Sequence, residues 1–176
     1  MNRSDHLDMS LNDYRRLGLM ALWTGLIATL GIIFAFIPNV ELVLLTAFLG
    51  GVALGPRRGL IVAMVGEAIF SALNPIGSGL GFPILFIFQI VGVGVCGFVG
   101  GLLSRRFTSA SSKPLNLVLL GGIGFVLTII YDILTAVSLP MSTGIIEGSL
   151  LASIIAGLLF FFMHLVSNTL LFALFG

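Results

Sequence analysis

The 176-residue chain has few charged side chains: Asp, Glu, Lys and Arg together make up 9% of it, whereas hydrophobic residues make up 58%. Its mean hydropathy is +1.20. A soluble domain of this length cannot bury so many apolar side chains, so the composition predicts a membrane protein. The net charge is only +1, and the basic residues are not gathered on one face, which argues against binding to nucleic acid.

Residues and motifs that commonly carry chemistry are also scarce. The single cysteine, Cys96, stands in an apolar run, where packing is the expected role, and it has no second cysteine for a disulfide within the chain. The sequence contains no HExxH, GxSxG or Walker A motif and no Cys/His cluster. We therefore predict that the protein is not an enzyme, has no catalytic residues, and binds neither a metal nor a cofactor.

The basic residues are confined to an N-terminal tail and two short breaks between apolar runs. They are Arg3, Arg15 and Arg16, then Arg57 and Arg58, then Arg105, Arg106 and Lys113. Positively charged loops stay on the cytoplasmic side of a membrane, and one crossing takes about 20 apolar residues. The spacing predicts that the chain goes out and comes back between successive groups. This gives an all-α protein of six transmembrane helices in the cell inner (plasma) membrane, with both termini cytoplasmic.

Turn signals divide the chain into a polar tail, residues 1–16, and a six-helix transmembrane domain, residues 17–176. The predicted helices are Leu17–Ile37, Leu42–Leu54, Gly59–Leu73, Pro83–Leu103, Leu115–Ser138 and Ser149–Phe175. The second would reach only about 20 Å, so a re-entrant segment is an alternative, although the Arg pair that follows it favours crossing. Pro and Gly predict outer loops at Asn39, from Asn74 to Phe82 and from Pro140 to Glu147. Five glycines in the fourth helix predict close helix packing.

Ionisable side chains inside a membrane are costly, and we treat each as a functional hypothesis. The candidates for one outward-open pocket are Asn39, Glu41, Glu67, Ser71, Asn74, Gln89, Tyr131 and Asp132. Glu67, Ser71 and Asn74 share one face of the third helix, because they are spaced i, i+4 and i+7. The alternative is that Ser71, Thr128 and Thr135 bond to backbone in their own helices, and that Gln89 forms an interhelical hydrogen bond worth about 0.6 kcal/mol.

We predict that the two acids Glu67 and Asp132 have no basic partner in any span, so that each is protonated, hydrated or matched by a ligand donor or a cation. His164 and Asn168 form an i, i+4 pair on the sixth helix. Since His164 lies about 22 Å along that helix from Ser149, we place it at or below the midplane, away from the acids. A mutual or interhelical hydrogen bond is the predicted role of this pair.

Three short segments and one helix motif carry a resemblance to a known family. Ala21 and Gly25 form a small-xxx-small pair, which Thr29 continues. The segments are Ile37 to Glu41 at the first outer turn, Leu54 to Gly59 at the first inner turn, and Asn74 to Gly77. With six predicted helices and a short second one, the chain resembles the substrate-binding S components of energy-coupling factor (ECF) transporters.

In that family, the S component captures a vitamin or related micronutrient from outside. It then associates with a transmembrane coupling subunit and two ATPase subunits that power uptake. The resemblance implies that Ala21 and Gly25 meet the coupling subunit, that Arg57 and Arg58 face cytoplasmic partners, and that the outer loops cap the substrate. Gly25 departs from the family's usual pair of alanines. The inner turn is similar to that of cobalamin-type members.

Two other functions remain open from the sequence. One is a self-sufficient proton-coupled carrier that uses Glu67, Asp132 and His164 as a relay. The other is a membrane enzyme acting on lipid, with Asp132 and His164 as base and acid, which the predicted difference in their depths disfavours.

Overall fold

The computed structural model describes residues 11–37, 40, 42–107, 113–143 and 149–176. Within those ranges the chain is all-helical and forms six α-helices and one short 3₁₀ turn, Gly79–Gly81. The helices are α1 (Leu11–Phe34), α2 (Val43–Leu54), α3 (Pro56–Leu73), α4 (Pro83–Phe107), α5 (Lys113–Thr143) and α6 (Ser149–Phe175). Segments of α1, α4, α5 and α6 are each long and apolar enough to cross a membrane, which indicates a membrane protein.

Helix ends differ from the predicted ones at several places. α1 begins at Leu11, so part of the predicted polar tail is helical, and α3 begins at Pro56, a residue suited to the first helical position. The largest difference is in α5, which continues through Pro140 to Thr143. The prediction that Pro140 begins an outer loop was wrong, because membrane helices tolerate proline where neighbouring helices or polar side chains satisfy the freed backbone.

The short helix α2 is the centre of the bundle. Its residues Val43 to Phe48 are buried without interruption, and the helix contacts each of the other five. By contrast, α1 contacts only α2 and α3 among the described helices, and α6 contacts only α5 and α2. A helix that is apolar on every face belongs in a protein core or in a membrane, and here neighbouring helices surround α2.

Close approach of α2, α3 and α4 depends on glycine. A Cβ on Gly51 would overlap the carbonyl oxygen of Gly97, and one on Gly59 would come within 2.5 Å of the Gly51 Cα. Gly55 joins α2 to α3 with a φ of 84°, a value that residues with a Cβ rarely adopt. The close packing predicted from the α4 glycines is confirmed at Gly97.

Helix directions alternate along the chain and bring the basic residues to one end. α1 and α3 run parallel, since Ile27 lies against Gly66 and Gly31 against Phe70. α4 runs antiparallel to α3, with Gly97 beside Gly59 at one end and Gln89 beside Ser71 towards the other. The Arg pairs at the start of α1, the start of α3 and the end of α4 are exposed at the same end, which we call the basic end.

Candidate functional site

Two buried polar side chains on α3 and one half-buried polar side chain on α4 form a column. Glu67 is 1% exposed, and Ser71 lies one turn further along the same face of α3. The Ser71 hydroxyl donates a hydrogen bond of 2.9 Å to Oε1 of Gln89 on α4. The sequence left open a bond from Ser71 to its own backbone, but the structure shows an interhelical bond. We call Glu67, Ser71 and Gln89 the polar column; it lies towards the end of the bundle opposite the basic end.

The 3₁₀ turn Gly79–Gly81 covers the polar column. Gly79 is buried against Ser71 so closely that a Cβ at this position would overlap the Ser71 hydroxyl. The Ser78 hydroxyl donates to the carbonyl of Ala72 at 2.8 Å and anchors the turn to the end of α3. Asn74 shapes the same loop, because its Oδ1 accepts a hydrogen bond from the Ile76 amide at 3.0 Å. A side chain predicted to contact substrate thus stabilises the loop above the column.

A second polar cluster joins α5 to α6. Nδ1 of His164 lies 2.7 Å from Oδ1 of Asp132, and both side chains are buried. This contact overturns two predictions: that Asp132 has no basic partner in a span, and that His164 lies at a different depth. The predicted difference in depth had disfavoured a joint role of Asp132 and His164 as base and acid, and that reason no longer holds.

The extra length of α5 explains the error in depth. With its end at Thr143 rather than Ser138, Asp132 lies about 16 Å from the end of its helix, and His164 lies about 22 Å from the start of α6. The remaining difference of about 6 Å is within the reach of two side chains on neighbouring tilted helices. The predicted depths of Asp132 and His164 were therefore wrong because the predicted end of α5 was five residues too early.

α5 and α6 keep the same register one and two turns away from the Asp132–His164 pair. Gly124 of α5 lies against Phe172 of α6, which places Thr128 opposite Asn168 between that contact and the Asp132–His164 pair. Thr128 donates to its own helix at Gly124, as the sequence alternative predicted. Asn168 donates to the His164 carbonyl at 3.2 Å, which confirms a local bond between these two residues. Within the described chain, Oδ1 of the fully buried Asn168 accepts no hydrogen bond.

Aromatic rings surround the pair. The His164 ring lies 5.9 Å from the ring of Tyr131 and 5.8 Å from that of Phe160. Tyr131 in turn packs against Gly92 of α4, where a Cβ would come within 2.8 Å of the tyrosine ring. Of the predicted pocket residues, Tyr131 and Asp132 therefore stand beside His164, which had been placed outside the pocket.

The remaining predicted site residues lie at the surface or outside the described ranges. Asn39 and Glu41 belong to the undescribed positions. Ala21 and Gly25 are exposed on α1, and nothing lies within 4 Å of a Cβ built on Gly25. Arg57 and Arg58 are exposed at the basic end.

His164 and Gly79 were not among the predicted site residues. The signal for the first was present: Thr128 and Asp132 on one helix, and His164 and Asn168 on the next, have the same spacing of four residues. Two polar pairs at equal spacing on antiparallel neighbours can face each other in layers. The signal for Gly79 was only its place among several loop glycines.

The fold and these clusters define a helical membrane protein with buried polar groups in two places. No group of three His, Cys, Asp or Glu residues in the described part of the chain is placed to hold a metal ion. Comparison with protein-family models, with curated proteins and with solved structures finds no match to this chain.

Proposed function

We propose that the chain is the substrate-binding membrane subunit of an ECF-type importer. In this role it captures a vitamin or related micronutrient from outside and delivers it with a transmembrane coupling subunit and two ATPase subunits. The proposal rests on the polar column, because a buried carboxylate and hydroxyl with a half-buried amide beneath a closed turn suit a binding site reached from one end of the bundle.

Sidedness follows from the basic residues. Positively charged segments favour the cytoplasmic side, so the basic end is assigned to the cytoplasm and the polar column to the outer half of the membrane. We propose six crossings with both termini cytoplasmic, in the plasma membrane, and the alternating helix directions support this topology. The short α2 is counted as a crossing, although at about 18 Å for 12 residues it is shorter than the apolar core of a bilayer.

The chemistry of the column restricts the substrate. Glu67 offers a carboxylate and Gln89 an amide, and no Lys or Arg stands within the apolar stretch of α3 or α4. A ligand with hydrogen-bond donors or positive charge fits these groups, whereas a phosphate or carboxylate would lack a basic partner. Asn39 and Glu41, which flank the first outer turn in the sequence, complete the proposed site.

The exposed small residues on α1 supply the proposed contact with the coupling subunit. Because a Cβ on Gly25 meets nothing within 4 Å, Gly25→Leu has room in the isolated chain. We expect this variant to keep its stability and its ligand but to lose co-purification with a co-expressed coupling subunit and ATPases. Gly122→Leu, with equally free surroundings on α5, is the control outside α1. Normal assembly of the Gly25 variant would remove α1 as the contact.

Ligand binding is tested on the purified chain. Small molecules released on denaturation are identified by mass spectrometry, and the affinity for the identified compound is measured for Glu67→Gln and Ser71→Ala. We expect at least a tenfold loss for each, since a hydrogen bond to a charged or buried group is worth roughly 1.5 kcal/mol or more. Ser104→Ala, which removes a backbone-bonded serine near the basic end, is the control. Unchanged affinity in both column variants would rule out this site.

A second function is favoured by the Asp132–His164 contact. A buried acid and imidazole at 2.7 Å are suited to proton transfer, which a self-sufficient proton-coupled carrier requires. Reconstitution in liposomes separates the two functions. Substrate flux driven by a pH gradient, with no other subunit present, supports the carrier. Flux that requires ATP and the partner subunits supports the importer.

A further inference from the structure

A groove on the outer surface of the α5–α6 hairpin is separate from the polar column. Its volume is about 420 Å³, within the range of small-molecule sites. The walls are apolar and come from Ile133 and Ala136 on α5 and from Leu158 and Phe162 on α6. Ile133, Leu158 and Phe162 are more than half exposed, so the groove opens away from the bundle, towards the lipid.

One charged side chain lines this groove. Among the described residues that line the groove, Asp132 is the single ionisable one; its side chain is 11% exposed, whereas His164 behind it is 1% exposed. Oδ1 is held by His164. Within the described chain no other hydrogen bond to this carboxylate is present, so Oδ2 remains available to the groove. A carboxylate oxygen is thus presented at the inner wall of an otherwise apolar recess.

The surroundings determine which ligand chemistry suits this oxygen. A carboxylate at membrane depth is costly unless a donor or a cation meets it. His164 satisfies one oxygen from inside the bundle and leaves the other facing an apolar space that water does not readily enter. A ligand that brings its own cationic N–H donor, together with an apolar body, satisfies both the carboxylate and the walls.

We propose that the α5–α6 groove is a lateral binding site for a small amphiphilic amine, with its ammonium group on Oδ2 of Asp132 and its apolar part between Ile133 and Phe162. The site is independent of the polar column. His164 acts as a positioning residue, because it holds the carboxylate from behind without reaching the groove.

The neighbouring helices provide a matched control groove. Between α3 and α4 lies an apolar recess of about 520 Å³, and the described residues that line it, among them Ala68 and Ala72, are all apolar. Ala68 and Ala136 are both half-buried alanines in a groove wall. Phenylalanine at either position fills its own groove, and only the α5–α6 groove contains a carboxylate.

The test uses the full chain in nanodiscs of phosphatidylcholine and three labelled probes with one tail: octylamine, octanol and octanoate. After subtraction of binding to empty nanodiscs, we expect octylamine at neutral pH to bind at least about tenfold more tightly than octanol, with octanoate weakest. Asp132→Asn should abolish the preference for octylamine over octanol. Ala136→Phe should weaken both, and Ala68→Phe should change neither.

Other outcomes overturn the proposal. Equal binding of octylamine and octanol to the unmodified chain would show that the groove recognises only the apolar tail, as it would a lipid acyl chain. Preferred binding of octanoate would show that a positively charged His164, rather than the Asp132 carboxylate, determines which probe binds. If Asp132→Asn fails to fold, Ala136→Phe still decides, since octylamine binding that survives it must occur elsewhere.

Discussion

The Asp132–His164 contact should be a charge-assisted interaction that makes a large contribution to stability. The heavy-atom distance of 2.7 Å is at the short end of the range for an N–H group bonded to a carboxylate. Both side chains are nearly removed from solvent. Loss of one member of a buried ion pair costs about 3–5 kcal/mol, because the other charge is left without its partner. A neutral interhelical hydrogen bond in a membrane contributes about 0.6 kcal/mol.

These two magnitudes differ enough for a double-mutant cycle to separate them. We expect His164→Leu and Asp132→Leu each to lower the free energy of unfolding by about 3 kcal/mol or more. The double variant should recover most of that loss, since two leucines leave no buried charge. The coupling energy should therefore exceed about 2 kcal/mol. The cycle measures the pair itself, because any cost of the leucine side chains is present in each single variant.

The cycle is measured by unfolding the purified chain in mixed micelles with an increasing fraction of SDS. Trp23, the single tryptophan, packs against Gly50 on α2 and reports unfolding of the bundle away from the substituted pair. Thr169→Val serves as the control partner for Asp132→Leu. Within the described part of the chain the Thr169 hydroxyl bonds only to the Leu165 carbonyl of its own helix, so additivity is expected. A coupling energy near 0.6 kcal/mol between Asp132 and His164 would refute the charge-assisted interpretation.

Two further predictions concern glycines at close approaches. Gly51→Ala should destabilise the fold by about 1–3 kcal/mol or more in the same unfolding assay, since its Cβ would meet the backbone of Gly97, which cannot move aside. The control is Gly122→Ala, which has open space around it and should be neutral or slightly stabilising. Gly79→Ala should weaken binding of the identified ligand by lifting the turn off the polar column, while Gly77→Ala leaves it unchanged; equal affinities would show that the turn does not cover the site.

The sequence predicted the helices well because their signal is strong and local. Long apolar runs and turn residues located all six, and α6 has the predicted bounds. The errors lie where local signals conflict with tertiary context. Pro140 is a helix breaker in water, but a membrane helix can continue through it. Arg57 and Arg58 were assigned to a turn, yet they belong to the first turn of α3, because Gly55 alone reverses the chain.

The candidate site was harder to predict than the helices because side-chain pairing depends on helix register. The sequence shows that Glu67 and Ser71 share a face, since that relation lies within one helix. It does not show which helix lies opposite them. Gln89 was recognised as an interhelical group, but its partner required the structure. For Asp132 and His164, an error of five residues in one helix end separated two groups that are in contact.

The two buried acids, Glu67 and Asp132, have different neighbours because α4 packs against α3 on one side and against α5 on the other. Gln89 on α4 accepts a hydrogen bond from Ser71 of α3, and Gly92, one turn further along α4, packs against Tyr131 of α5. The residue after Tyr131 is Asp132, whose carboxylate meets α6 and the outer groove. Glu67 therefore belongs to an interface that a turn covers, and Asp132 to a hairpin that opens sideways. In the two proposals, a ligand that enters from the end of the bundle would therefore meet Glu67, and one that enters from the lipid would meet Asp132.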